Sequence, residues 1–135
     1  MTTKMFVNLP VKNLKASMDF YKALGFTFNP QFTDDTAACM VISEHNYVML
    51  LTHEKFKGFA TKPIPDAHNT TGVMVAIALD SKAAVDDMAA RAVKAGGREP
   101  KPTADHGFMV LRTFEDPDGH TWEPFWMDPA HVQQG

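Results

Sequence analysis

The side chains able to do chemistry in this sequence are few: one cysteine, Cys39, six histidines, and the acidic residues around one tight turn. That turn, Asp116-Pro117-Asp118-Gly119, follows Phe114-Glu115 and precedes His120-Thr121-Trp122-Glu123. Pro117 fixes φ, Gly119 admits positive φ, and the aspartates are suited to bonding neighbouring backbone amides, so the motif predicts a hairpin turn. The histidines do not combine into a metal site. His45 and His53 stand eight residues apart, which along one extended strand is about 26 Å, too far to share an ion. His120 and Glu123 differ by three, so within a strand they point to opposite faces. His68, His106 and His131 fall in turn-rich or terminal sequence, where solvated surface histidines are expected. Cys39, being single, cannot form an internal disulfide.

Two stretches of similar order must position these residues. In residues 5–11, Met5, Val7, Leu9 and Val11 alternate with Phe6, Asn8 and Pro10, the period of a strand, with Pro10 marking its end or a sheet edge. Leu14, Met18, Tyr21 and Leu24 then recur at helical spacing, with Asn13 as a cap and Gly25 as a stop. Residues 26–32, 37–42 and 47–52 read as three further strands. Residues 53–72 carry Gly58, Pro63, Pro65 and Asn69-Thr70-Thr71 among few apolar side chains and read as a connection. Phe56 and Phe59 there could serve a flap or simply pack down on a sheet. A strand at 73–79 follows. Ser81 then caps a helix striped by Val85, Met88, Ala89, Ala92 and Val93 that stops at Gly96-Gly97. Strands are expected at 98–103, 108–113 and 121–126. Each half therefore reads β-α-β-β-β, about 68 residues apart, with Asn8 opposite Ala76.

Composition excludes several classes of function. The chain has 135 residues, 44% of them hydrophobic and 21% charged, which fits one globular domain. Thirteen basic against sixteen acidic residues give a net charge of -3 without a basic cluster, so no nucleic acid is expected as partner. No apolar run approaches the roughly 18 residues of a membrane span, so no membrane partner is expected. The absence of a signal-peptide core after Met1-Thr2-Thr3-Lys4, together with a lone cysteine, leads to a cytoplasmic expectation.

The Asp-Pro-Asp-Gly turn with its flanks, Asn8-Leu9-Pro10-Val11, Phe20-Tyr21, Leu24-Gly25-Phe26 and the paired βαβββ order resemble the vicinal oxygen chelate superfamily. This is the superfamily of glyoxalase I, bleomycin resistance proteins and extradiol dioxygenases, and the sequence is most similar to its stand-alone predicted lactoylglutathione lyases. The resemblance implies an α+β fold in which two βαβββ modules form curled mixed sheets around a concave pocket, usually in a homodimer. It divides the chain into a single glyoxalase-like domain, residues 1–135, with module one at about 1–57, a connector at about 58–72 and module two at about 73–128.

Metalloenzymes of that superfamily hold a divalent ion with side chains from the first and last strands of each module. Here those positions fall at Phe6, near Leu50, near Met74 and at Glu123, so only Glu123 keeps a ligating group. No metal is expected, a divalent ion being disfavoured, and no other cofactor. With Glu123 facing the concave side, alternation gives a pocket of Phe6, Asn8, Val48, Leu50, Thr52, Met74, Ala76, Ala78 and Phe125. Glu123 is the candidate catalytic residue. Its alternatives are a ligand contact, a general base, or a carboxylate that only bonds amides near the turn. Arg112 alternates with Val110 and Phe114 and is either a counter-charge for Glu123 or solvated.

Two functions fit this set, beside the third class of an assembly module whose pocket is filled. One is binding of a small, largely apolar molecule without chemistry, as the resistance members do, which the apolar lining favours. The other is a glyoxalase-like lyase, isomerase or dioxygenase acting on a small metabolite, with Glu123 as base or metal ligand. The expected partners are that small molecule and a second copy of the chain.

Overall fold

The computed structural model describes residues 2–132, which fall into two compact units that divide between Asp66 and Ala67. In the first unit the alternating residues form strand β1 (Met5–Val11), and Asn13 then starts helix α1 (Leu14–Ala23), its Oδ1 accepting the Ala16 amide at 3.0 Å. That bond satisfies one of the amides a helix start leaves unpaired. Gly25, with φ of 101°, turns the chain out of the helix. Strand β2 (Thr27–Asn29) is shorter than expected because Pro30 opens a 3₁₀ turn, Pro30–Phe32, capped by Asn29 Oδ1 on the Gln31 amide at 2.9 Å. Strands β3 (Ala37–Val41) and β4 (Asn46–Thr52) complete a sheet of order β1-β4-β3-β2, with β1 parallel to β4 and the other pairs antiparallel. β1 is an edge strand, consistent with Pro10 lacking a donor.

One face of this sheet packs on α1. It carries Leu9 and Val11 of β1, Val48 and Leu50 of β4, and Ala38 and Met40 of β3, buried with Phe20 and Tyr21 of the helix. The two rings meet edge to face, their centroids 5.0 Å apart. Residues expected to be pure connection instead begin with helix α2 (His53–Phe59), which packs on β1 and β4. Thr52 Oγ1 caps it by accepting the Lys55 amide at 3.2 Å. With no fully buried residue, this helix lacks the apolar stripe that periodicity detects.

The second unit repeats the order. Strand β5 (Met74–Ala78) leads to α3 (Lys82–Lys94), capped by Ser81 Oγ on the Ala84 amide at 3.0 Å. Strands β6 (Ala104–Asp105), β7 (Met109–Leu111), β8 (Phe114–Glu115) and β9 (Thr121–Met127) follow, then a short helix α4 (Pro129–Val132). The sheet order is β5-β9-β7-β6, with β8 also on β9 and β5 parallel to β9, the same wiring as the first unit. Buried Trp122 and Phe114 stack 6.2 Å apart, and the small Ala89 and Ala92 of α3 let that helix lie close above their sheet face. The strand expected at 98–103 does not form. Pro100 and Pro102 lack amide donors, leaving a single bridge from Arg98 to Glu115, and pairing resumes at β6. Val93, expected in the helical core stripe, is 47% exposed.

Candidate functional site: an apolar cleft on the first sheet

The sheet face of the first unit that turns away from α1 is fixed by strand pairing. Parallel partners share a face, so Phe6 goes with Tyr47, Asn8 with Met49 and Pro10 with Leu51. The antiparallel pairs extend the row to Cys39 and Ala37. Over this floor the 3₁₀ turn brings Phe32 from one side and α2 brings Lys55 and Phe59 from another. The result is an open cleft of about 460 Å³ lined by Phe6, Asn8, Phe32, Ala37, Met49, Leu51, Lys55 and Phe59. Its three rings are left in solvent to an unusual degree, Phe59 at 68%, Phe32 at 61% and Phe6 at 48%. Phe6 stacks on Tyr47 with centroids 4.8 Å apart, and Lys4 Nζ lies 5.9 Å over the Tyr47 ring. Lys55 Nζ lies 5.7 Å from the Phe59 ring. Lys55 and Phe59 also line a second depression of about 430 Å³, together with Thr36, Thr52, Glu54 and Gly58.

The turn beneath the cleft is held by Asp34. Its Oδ1 accepts the Thr36 amide and hydroxyl at 2.8 Å each and the Ala37 amide at 3.0 Å. Those bonds, the Thr36 amide first, hold the Asp34 carboxyl below its ordinary value, with a smaller contribution from the charge of Lys55. Cys39 is buried in the floor, where loss of water pushes its thiol up and keeps it neutral.

The site residues expected from sequence divide accordingly. Phe6 and Asn8 line the cleft. Val48 and Leu50 do not: they point to the opposite face and are buried against α1. Every residue from Tyr47 to Leu51 is apolar, so alternation in β4 carries no parity and the expected register is off by one. Thr52 serves as the α2 cap and lines the neighbouring depression. Sequence reasoning missed Phe32, Ala37, Met49, Leu51 and Lys55 and left Phe59 between two roles. The signal available was the edge position of β1, since pairing Asn8 with β4 selects Met49.

In the second unit, Met74, Ala76 and Ala78 of β5 pair with Thr121, Glu123 and Phe125 of β9 and share a face, as alternation required. Glu123 is partly buried there, and among the described residues no hydrogen bond or ion pair holds it. The turn amides it was expected to compete for belong to Asp116, whose Oδ1 accepts from Asp118 at 3.0 Å and His120 at 2.8 Å. Arg112 is neither solvated nor a partner of Glu123. Its guanidinium donates to Glu99 at 2.6 and 3.0 Å and to Asp86 at 3.1 Å, and the Glu99 bond raises its pKa further.

A divalent cation does not fit these faces. The first unit presents Phe6, Asn8 and Met49 and no carboxylate; the second presents Met74, Ala76 and Glu123 together with Glu115, which pairs opposite Thr121 and has Arg98 as its ion-pair partner at 3.7 Å. Among the described residues no group of three or more His, Cys, Asp or Glu side chains gathers as a metal set. No helix among them is long and apolar enough to cross a membrane.

A family model described as the Glyoxalase/Bleomycin resistance protein/Dioxygenase superfamily matches residues 5–123. No curated protein matches. Among solved structures, a hypothetical protein from S. aureus is 26% identical with a TM-score of 0.78, covering 93% of this chain and 95% of its own. A glyoxalase/bleomycin resistance protein/dioxygenase family enzyme from Burkholderia phytofirmans PsJN is 16% identical with a TM-score of 0.74, covering 93% and 99%. A glyoxalase-related enzyme from Fulvimarina pelagi is 19% identical with a TM-score of 0.76, covering 93% and 88%. At those two lower identities the likeness is one of fold.

Proposed function

The chain belongs to the glyoxalase/bleomycin resistance/dioxygenase superfamily, and from that premise we propose that it binds a small, largely apolar molecule in the cleft of its first unit, without a metal ion. The observation that carries this is the lining. Three phenylalanines left exposed, with Met49 and Leu51 beneath them, form an apolar surface whose only polar side chains are Asn8 and Lys55. Covering those rings with a ligand removes apolar area from water, at about 1.5 to 3 kcal/mol per fully buried side chain. The test is calorimetric titration with a panel of flat aromatic compounds against wild type and Phe32→Ala. Saturable binding that weakens at least about tenfold in the variant supports the reading, since that factor corresponds to about 1.4 kcal/mol. Equal affinity for the two proteins, or no saturable binding across the panel, refutes it.

A second reading has its own observation, the partly buried Glu123, whose side chain has no hydrogen-bond or ion-pair partner among the described residues. As a base or a ligand contact it would act from the face it shares with Ala76 and Phe125. Glu123→Gln then leaves the melting temperature within about 2 °C, because no structural bond is lost, while turnover or affinity falls. A large loss of stability would make Glu123 a structural residue and remove this reading. We further propose a homodimer in the cytoplasm. Edge strands β1 and β5 leave Met5, Phe6 and Met74 exposed, an association hazard that a second copy would cover. Light scattering at the mass of one chain across the micromolar range would reject the dimer.

A further inference from the structure

We propose that the molecule held in the first unit's cleft is an anion with a flat apolar body, an aromatic or conjugated carboxylate. The inference rests on the binding reading above and assigns it a ligand class. Among the eight lining residues none is acidic, and the two polar ones both carry N–H donors: the Asn8 amide, which also has an acceptor oxygen, and the Lys55 ammonium, which donates only. Neither is committed elsewhere. Among the described residues the Asn8 side chain has no hydrogen-bond partner, and Lys55 Nζ makes no ion pair, its close neighbour being the Phe59 ring at 5.7 Å. The nearby Asp34 feels the Lys55 charge, yet its Oδ1 is bonded to Thr36 and Ala37 in the turn.

A second ammonium stands behind the aromatic rim. Lys4 Nζ lies 5.9 Å over Tyr47, which stacks on the lining residue Phe6. A flat ring inserted among Phe6, Phe32 and Phe59 meets aromatic faces and edges, the geometry in which rings attract one another. Its carboxylate would meet Lys55 and Asn8 at the same mouth, where a charge-assisted bond outweighs a neutral one. A cationic ligand would meet Lys55 and no acidic side chain in the lining of this cleft. The adjacent depression, which includes Glu54, is the less suitable place for an anion.

The test uses naphthalene-2-carboxylate and its neutral isostere naphthalene-2-carboxamide, titrated calorimetrically at neutral pH and low salt. The expected result is an about tenfold preference for the carboxylate that shrinks as salt is added, because Lys55 is exposed and screened. Lys55→Met keeps the apolar stem, so it should leave carboxamide affinity unchanged and reduce the preference to within about twofold, and Lys55→Arg should restore it. Equal binding of the two compounds to wild type, or a preference that persists in Lys55→Met, overturns the ligand class while leaving the cleft as a binding site. Failure of both compounds to bind saturably overturns the class and the binding reading together.

Discussion

Leu50→Ala tests which face of β4 belongs to the cleft. Leu50 is 0% exposed at the centre of its strand, paired with Leu9 of β1 and Ala38 of β3 on the face that packs against α1. Truncation removes three carbons from a site walled by strands on both sides, which cannot collapse to fill the space, so the loss belongs in the upper part of the 2 to 5 kcal/mol range for Leu→Ala, about 3 to 5 kcal/mol. At about 4 °C per kcal/mol for a chain of this size, the melting temperature should fall by about 12 to 20 °C. Met49→Ala is the control one residue earlier. Met49 lines an open cleft and is only partly buried, so its truncation leaves no closed cavity and should cost about 1 kcal/mol. Urea unfolding followed by far-ultraviolet circular dichroism measures both. A Leu50→Ala loss under about 1 kcal/mol with a Met49→Ala loss above about 3 kcal/mol would place Leu50 at the cleft and refute the register.

Three further outcomes follow from other parts of the fold. Gly119 has φ of 89°, and a Cβ built there would lie 2.8 Å from the Ala67 carbonyl carbon and the His68 amide nitrogen. Gly119→Ala should therefore destabilise by clearly more than Gly96→Ala, where φ is 108° but nothing lies within 4 Å and only the conformational cost of about 1 to 2 kcal/mol applies; equal losses in thermal unfolding would contradict the close approach. The Asp34 carboxyl is held below the ordinary value of an aspartate by its bonds to Thr36 and Ala37, so those bonds stabilise the fold above the ordinary aspartate pKa and the contribution fades as pH falls through the folded value. Asp34→Asn should flatten that acid limb of the urea midpoint, and an unchanged limb would mean that the turn does not depend on the carboxylate. Nickel, zinc or iron(II) should not raise the melting temperature, since among the described residues no group of three or more His, Cys, Asp or Glu side chains gathers; stoichiometric retention abolished by Glu123→Ala would reverse that conclusion.

Local chemistry alone determined much of this molecule. Asn13 and Ser81 carry short side-chain acceptors before apolar stripes, and both cap their helices as expected. The bonds from the Asp118 and His120 amides to Asp116 Oδ1 lie within five consecutive residues, so they were legible in the motif. In β9 the polar Thr121 and Glu123 alternate with Trp122 and Pro124, and pairing with β5 puts Met74, Ala76, Glu123 and Phe125 on one face. The repeated order also announced two sheets of one wiring.

Tertiary structure decided whatever local pattern leaves degenerate. An unbroken apolar run in β4 is compatible with either face, and only its parallel pairing to β1 sends Leu50 to the core and Met49 to the cleft. Arg112 had the right alternation for several partners, but Glu99 and Asp86, 13 and 26 residues away in sequence, close on it only after α3 has packed. Helix α2 has too little buried surface to announce itself, yet its docking on β1 and β4 brings Lys55 and Phe59 to Phe6 and Asn8. A cleft built from a strand edge, a 3₁₀ turn and a half-exposed helix is a set of long-range contacts, and sequence periodicity reports only the neighbours along one element.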